Sequence, residues 1–151
     1  MKLEPLMTYR ATLKAPAQVG AGPRGTRAIY DITGGEFEGD RLRGKILPSG
    51  GDWILTDSDG VGQLDVRATF ETDDGALIYV QYHGVIVMND AITAALERGE
   101  EGQFGDSYFM TQPRFETGDA RYAWLNRMVA VAEGRALPSA VEYRVFELLN
   151  D

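Results

Sequence analysis

The stretch from Leu64 to Gly84 leaves this chain fewer choices than any other. It runs Leu64-Asp-Val-Arg-Ala-Thr-Phe-Glu-Thr72, then Asp73-Asp-Gly75, then Ala76-Leu-Ile-Tyr-Val-Gln-Tyr-His-Gly84. Asp73 and Asp74 suit a type I turn and Gly75 the left-handed bulge position after it, which makes a three-residue hairpin loop. That loop pairs Thr72 with Ala76 and fixes every pair outward. Val66, Ala68 and Phe70 then share a face with Ile78, Val80 and Tyr82. Asp65, Arg67 and Thr69 share the other with Tyr79, Gln81 and His83. A slip of one residue would mix the two sets, so the register is specified by the sequence itself.

The rest of the chain punctuates in the same way. Leu3–Lys14 reads as a first strand, Ala15–Gly25 as a loop, and Thr26–Thr33 as a strand with Ala28, Tyr30 and Ile32 on one side. Gly34-Gly35 reads as a turn, Gly39-Asp40 as a bulge within Glu36–Leu47, and Pro48–Gly51 as another turn before a short strand Asp52–Thr56. Asp57–Gly60 turns again. Asp90–Arg98 is the one helical candidate, capped by Asp90 and ended by Gly99. Ser107–Thr111, Tyr122–Ala132 and Val141–Leu149 are the last expected strands, with Gly134–Ser139 joining the final two. About eight or nine strands, many of them long and alternating, with turn signals at short intervals predict a mainly β fold, a barrel or a sandwich. A barrel is preferred because closure removes exposed edges. The expected fold is a single antiparallel β-barrel of about eight strands over residues 1–151, with the helix outside it or across one end.

Charge and composition exclude several functions. Fifteen basic against twenty-three acidic side chains give a net charge of −8, which argues against nucleic acid and anionic membranes as partners. With no cysteine in the chain, disulfides and thiolate chemistry are ruled out. No leader-like or membrane-length apolar run is present, so a soluble, cytoplasmic protein is expected. Gly20-Ala-Gly-Pro-Arg-Gly25 fits the dinucleotide pattern by letter, but Pro23 interrupts it and β-like residues follow where a helix is required. Asp57-Ser-Asp-Gly60 begins like a calcium loop, yet Val61 and Ala68 occupy ligand positions. A hydrolase triad would have to use His83, the only histidine, and no serine sits in a nucleophile elbow. No cofactor or metal is expected.

What remains is the polar face of the hairpin. Asp65 lies opposite His83 and Arg67 opposite Gln81, with Tyr79 nearby. A carboxylate beside an imidazole can hold a catalytic tautomer, which makes Asp65, Arg67 and His83 the catalytic candidates. The alternative is a solvent-facing side of an amphipathic hairpin. Aromatic and basic residues near other strands, Trp53, Tyr108, Arg114, Tyr122 and Trp124, suit either a small-molecule cavity or core packing. Bulky apolar groups on both faces of Arg127–Val131 and Val141–Leu149 predict a homo-oligomer.

Several segments together resemble a family of proteins, domain-of-unknown-function family 3237. They are Gly39-Asp-Arg-Leu-Arg-Gly44, Pro48-Ser-Gly-Gly-Asp-Trp53, Leu64-Asp-Val-Arg67 with Thr72-Asp-Asp-Gly-Ala76, Tyr108-Phe-Met-Thr-Gln-Pro-Arg-Phe-Glu116, and Tyr122-Ala-Trp-Leu-Asn126. The resemblance implies a single antiparallel barrel, similar in outline to lipocalin-like and allene-oxide-cyclase-like barrels, and no settled activity. It marks Asp52, Trp53, Asp65, Arg67, Tyr108, Arg114, Tyr122, Trp124 and Asn126 as signature positions. Met110 stands where many relatives have arginine, which implies a less anionic ligand. Ligand-binding candidates are therefore Asp52, Trp53, Tyr79, Tyr108, Arg114, Trp124 and Asn126. Two readings of function follow. One is a cofactor-independent lyase, decarboxylase or isomerase acting on a small apolar or aromatic carboxylic acid. The other is a non-catalytic carrier of an apolar metabolite, or a structural, oligomerising module if side chains fill the barrel.

Overall fold

The computed structural model describes residues 1–151 and is built from ten strands and two short helices. In chain order these are β1 (Lys2–Leu13), β2 (Ala17–Gly22), β3 (Gly25–Glu38), β4 (Arg43–Thr56), β5 (Val61–Thr72), β6 (Leu77–Val87), helix α1 (Asp90–Glu97), β7 (Phe109–Thr111), β8 (Arg114–Glu116), a 3-10 segment (Ala120–Arg127), β9 (Ala130–Leu137) and β10 (Ala140–Leu149). All pairings are antiparallel. The order β1-β10-β9-β7-β6-β5-β4-β3 closes on itself where β3 pairs with β1, which makes an eight-stranded barrel; β2 hangs on β3 and β8 on β6.

The hairpin that constrains the sequence has the expected form. Thr72 N–H donates to the Ala76 carbonyl at 2.9 Å, and Gly75 takes a φ of +92°. Asp65 opposes His83 and Arg67 opposes Gln81. Val66, Ala68, Phe70, Ile78, Val80 and Tyr82 all point inward and are buried. The charged face points outward, as the amphipathic rule requires.

Elsewhere the strands are longer than the sequence suggests, because glycine here bends strands rather than ending them. β3 runs straight through Gly34-Gly35. A Cβ on Gly35 would lie 2.1 Å from the Arg10 carbonyl oxygen, so this glycine lets β1 pack closely where that edge of β3 has passed from β2 to β1. The turn falls at Gly39, whose N–H donates to Leu42 at 2.8 Å. Pro48–Gly51 lies within β4, where the pairing with β5 shifts between Ile46 and Gly50 and Gly50 adopts a φ of +91°. Gly44 sits against Glu71, where a Cβ would meet the carbonyl oxygen at 2.0 Å.

Four further segments differ from expectation. Ala15–Gly25 contains the strand β2, in a hairpin with β3, so the dinucleotide-like glycines form a β-turn. Most of Tyr122–Ala132 is coiled into the 3-10 segment, begun by the Asp119 side chain accepting from Arg121 N–H. β9 starts at Ala130 and continues to Leu137, leaving Pro138-Ser139 as the turn into β10, with Ser139 at a φ of +55°. The helix cap is Asn89 rather than Asp90; its side chain accepts from Ile92 N–H at 2.9 Å. Helix α1 crosses one end of the barrel, with Thr93 and Leu96 over the opening. No helix is long and apolar enough to cross a membrane.

The interior divides lengthwise. Toward the Asp73-Asp74 loop it is filled: Phe37 stacks on Phe70 at 4.9 Å between ring centroids, Tyr9 meets Phe70 edge-on at 5.2 Å, and Leu125 of the 3-10 segment is buried there too. Toward α1 the interior opens into a cavity of about 620 Å³.

Candidate functional site

The cavity floor is written in the strand register. Tyr30 on β3 pairs with Asp52 on β4, Asp52 with Val66 on β5, and Val66 with Tyr82 on β6. Residues paired side by side point to the same face, so these four form one inward row. Tyr143 approaches from β10, its ring 5.5 Å from that of Tyr82 and edge-on to it. Tyr143 fits because Gly134, opposite it on β9, has no side chain; a Cβ there would lie 2.9 Å from both the Tyr143 and Phe109 rings. Above the floor the walls are apolar, with Ile32, Ile54, Leu64, Ile86 and Val141, while Lys14 and Glu97 stand at the rim.

Asp52 is the chemically distinctive group. It is half-buried between β3 and β5, and it lines the cavity. Its Oδ1 accepts the Asp65 N–H at 3.1 Å, and no cation neutralises it. Burial pushes its pKa up to about 6; the Asp65 N–H works against that rise and the Asp65 charge adds to it. The tyrosines shift the same way. Burial raises Tyr82 to about 12, with the neighbouring Tyr143 and Tyr9 hydroxyls opposing and the Asp52 charge adding. Tyr143 is held well above its ordinary range by burial first and then by Tyr82. Tyr30 is raised by burial and then by Asp52. At neutral pH these phenols therefore remain protonated hydrogen-bond donors. Behind them, the Tyr9 hydroxyl is buried with no well-aligned partner. The arrangement combines one carboxyl group able to give or take a proton near pH 6 with several neutral donors, under an apolar roof.

Of the residues expected from sequence, the structure places Asp52 in this cavity and the others outside it. Asp65, Arg67 and His83 lie on the outer wall; only the peptide N–H of Asp65 reaches the site. The physical reason is the hairpin's own alternation, which gives the interior to Val66, Ala68 and Tyr82. Tyr79 and Trp53 also face outward, 37% and 36% exposed. Tyr108 and Met110 are exposed as well, so the Met110 position does not touch the cavity. Arg114 lies exposed on β8. Trp124 is covered by the Arg41 guanidinium, 3.6 Å from the ring centroid. Asn126 brackets Thr117, accepting its N–H at 2.8 Å and donating to its carbonyl at 2.9 Å. Tyr122 donates to Asp74 at 2.8 Å and so ties the 3-10 segment to the hairpin loop. Sequence reasoning missed Tyr30, Tyr82 and Tyr143 as site residues. The available signal was a tyrosine on an otherwise apolar face, which must place its hydroxyl somewhere.

The fold and the cavity define a closed antiparallel barrel with one packed end and one open end floored by a carboxylate. The chain belongs to the family described as "Protein of unknown function (DUF3237)", whose model matches residues 1–148. It is 34% identical to a UPF0311 protein of Rhodopseudomonas palustris over 97% of both chains. A crystal structure of a β-barrel-like protein from Acinetobacter baumannii superposes with a TM-score of 0.84 at 39% identity, covering 98% of this chain and 96% of that one. A "PR-toxin biosynthesis cluster protein 7" of Penicillium roqueforti is 26% identical over 78% of this chain and 74% of its own. The fold is also that of an enzyme from Penicillium herquei, with a TM-score of 0.71 at 21% identity over 97% and 94% of the two chains.

Proposed function

We propose that the open end of the barrel is an acid–base active site. On this reading the protein is an isomerase- or lyase-type enzyme for a small, mostly apolar, uncharged molecule that carries an oxygen function. The observation that carries the reading is Asp52: a half-buried carboxylate with no cation beside it at the floor of an apolar cavity, pushed up to about 6. A structural carboxylate in a barrel interior would be expected to have a cation beside it, whereas a general base works best near the ambient pH. Asp52 removes a proton from the carbon next to the substrate oxygen. The hydroxyls of Tyr82 and Tyr143 donate to that oxygen as negative charge develops, and Asp52 then returns the proton to carbon, or delivers it to the leaving group as the electron pair of the cleaved bond departs with that group. The side chains alone balance this transfer.

The substrate class shifts from the carboxylic acid expected on sequence grounds. Arg67 and Arg114, the cations that would clamp a carboxylate, are on the outside, and an anionic substrate would meet the like charge of Asp52. A relative named for a toxin biosynthesis cluster suits a part in small-molecule biosynthesis. The carrier reading draws on the apolar walls, which would hold such a molecule without turning it over.

The test is deuterium incorporation into a panel of small cyclic ketones and enones in D₂O, followed by NMR. The expected result is catalysed exchange that rises with pH through about 6 as Asp52 ionises, and falls at least ~100-fold in Asp52→Asn. Exchange unchanged in that variant sinks the acid–base assignment, and tight binding without exchange favours the carrier.

A further inference from the structure

Besides the irregularity at Ile46–Gly50, the β4–β5 ladder is open beside Asp52. It is paired at Asp52–Val66 and again at Leu55–Gln63, and between them Trp53 opposes Asp65. On its other side Asp65 opposes His83, whose carbonyl accepts from Gln112 N–H at 3.0 Å on the far edge of β6. The peptide groups of Asp65 therefore face β4, and the ordinary acceptor for its N–H is the Trp53 carbonyl directly across. That bond is replaced by two others. Asp65 N–H turns to the Asp52 carboxylate at 3.1 Å, and the Trp53 carbonyl accepts the Arg27 guanidinium at 2.7 Å. Arg27 reaches it from β3 across the outer wall, on the side opposite the cavity.

We infer that Arg27 is a positioning residue for Asp52: by occupying the Trp53 carbonyl from outside, it holds the ladder open so that the Asp65 N–H orients the carboxylate within. A charge-assisted bond to a carbonyl is stronger than the neutral ladder bond it displaces, which favours the open arrangement. The inference rests on the reading of Asp52 as the reactive group, and it gives an outer-wall arginine a part in the site without contact with substrate. Asp52 is faced by Tyr30 from β3, Asp65 from β5, Tyr82 from β6 and Tyr143 from β10. Of the contacts made by these groups, the Asp65 N–H is the one that favours its ionised form.

The experiment is carboxyl-carbon NMR titration of Asp52, with the Asp65 amide followed in the same samples, for the full chain and for Arg27→Met and Arg27→Lys. Without the guanidinium the ladder closes, the Asp65 N–H goes to Trp53, and Asp52 loses its donor. The expected result for Arg27→Met is an Asp52 midpoint raised by about half a pH unit or more, with a displaced Asp65 amide resonance. Arg27→Lys, which keeps a cationic donor, stays near the parent. If Arg27→Met does not fold, Arg27→Gln takes its place with the same expectation in weaker form. An Asp52 midpoint and Asp65 amide identical to the parent's in the Met or Gln variant overturn the inference. The readout needs no substrate. Should parent Asp52 titrate in the ordinary range, the acid–base reading fails, while the Asp65 amide still reports whether Arg27 holds the ladder open.

Discussion

The two halves of the barrel are made from the same strands and solve different problems. At the hairpin-loop end, Phe37, Phe70 and Tyr9 pack ring against ring, and the wall is drawn tight by glycines such as Gly44, which touches the neighbouring backbone. Acidic groups at that end are outside and satisfied: Asp74 accepts from Thr72 and Tyr122, whose bonds hold its carboxyl below the usual range. At the α1 end a void remains, and the acidic group inside it is held above the usual range by burial. One half spends the hydrophobic effect on filled volume; the other gives up packing to keep a carboxyl group and phenols facing a space that a ligand can occupy. Stability and chemistry are thus separated along the barrel axis. Tyr82 and Tyr143 form the boundary, packed on one side and facing the cavity on the other.

Truncating side chains in either half tests this division. Phe70→Ala should have the largest effect, a loss of about 3–5 kcal/mol in urea unfolding, because a ring is deleted from close-packed surroundings. Leu64→Ala, in the cavity wall, should cost less, about 2 kcal/mol, since its neighbours on one side are already absent; equal losses would contradict the division. On the outer wall Arg67→Ala and His83→Ala should each change stability by no more than ~0.5 kcal/mol and leave deuterium exchange at the parent rate. A large loss of exchange in either would return those residues to the site.

Which parts of this were legible follows from what side chains announce. The hairpin was read to the residue because a period of two and a left-handed glycine act together. β2 was not, since Ala17-Gln-Val-Gly-Ala-Gly22 has no side-chain period and is made a strand by pairing with β3. Tyr122–Asn126 has the aromatic content of a strand, but Asp119 caps it and Asn126 clasps Thr117, which coils it instead. Family likeness marked Asp52 without saying that it points inward. The irregularity at Ile46–Gly50 inserts two residues and so keeps Asp52 on the inward face of Ile46, paired with inward Val66; the sequence suggested a turn there, which hid that continuity. The register of Asp65, Arg67 and His83 was legible, but their side was not: they were the catalytic candidates, and the neighbouring apolar residues claim the interior and leave them on the outer face.

Burial inside the open half raises Asp52, and the pH dependence of stability tests this directly. A carboxyl raised in the folded state leaves stability intact below its unfolded value near ~4 and removes it as pH rises through about 6. Asp52→Asn keeps an oxygen for the Asp65 N–H and deletes the charge. Unfolding free energies of the parent and of this variant, measured from pH 4 to pH 8, should nearly coincide at the acid end, separate between pH 4 and about 6 and run parallel above it, with the variant on the order of 2 kcal/mol more stable at pH 8. A variant equally stable or less stable than the parent at pH 8 would contradict the claim.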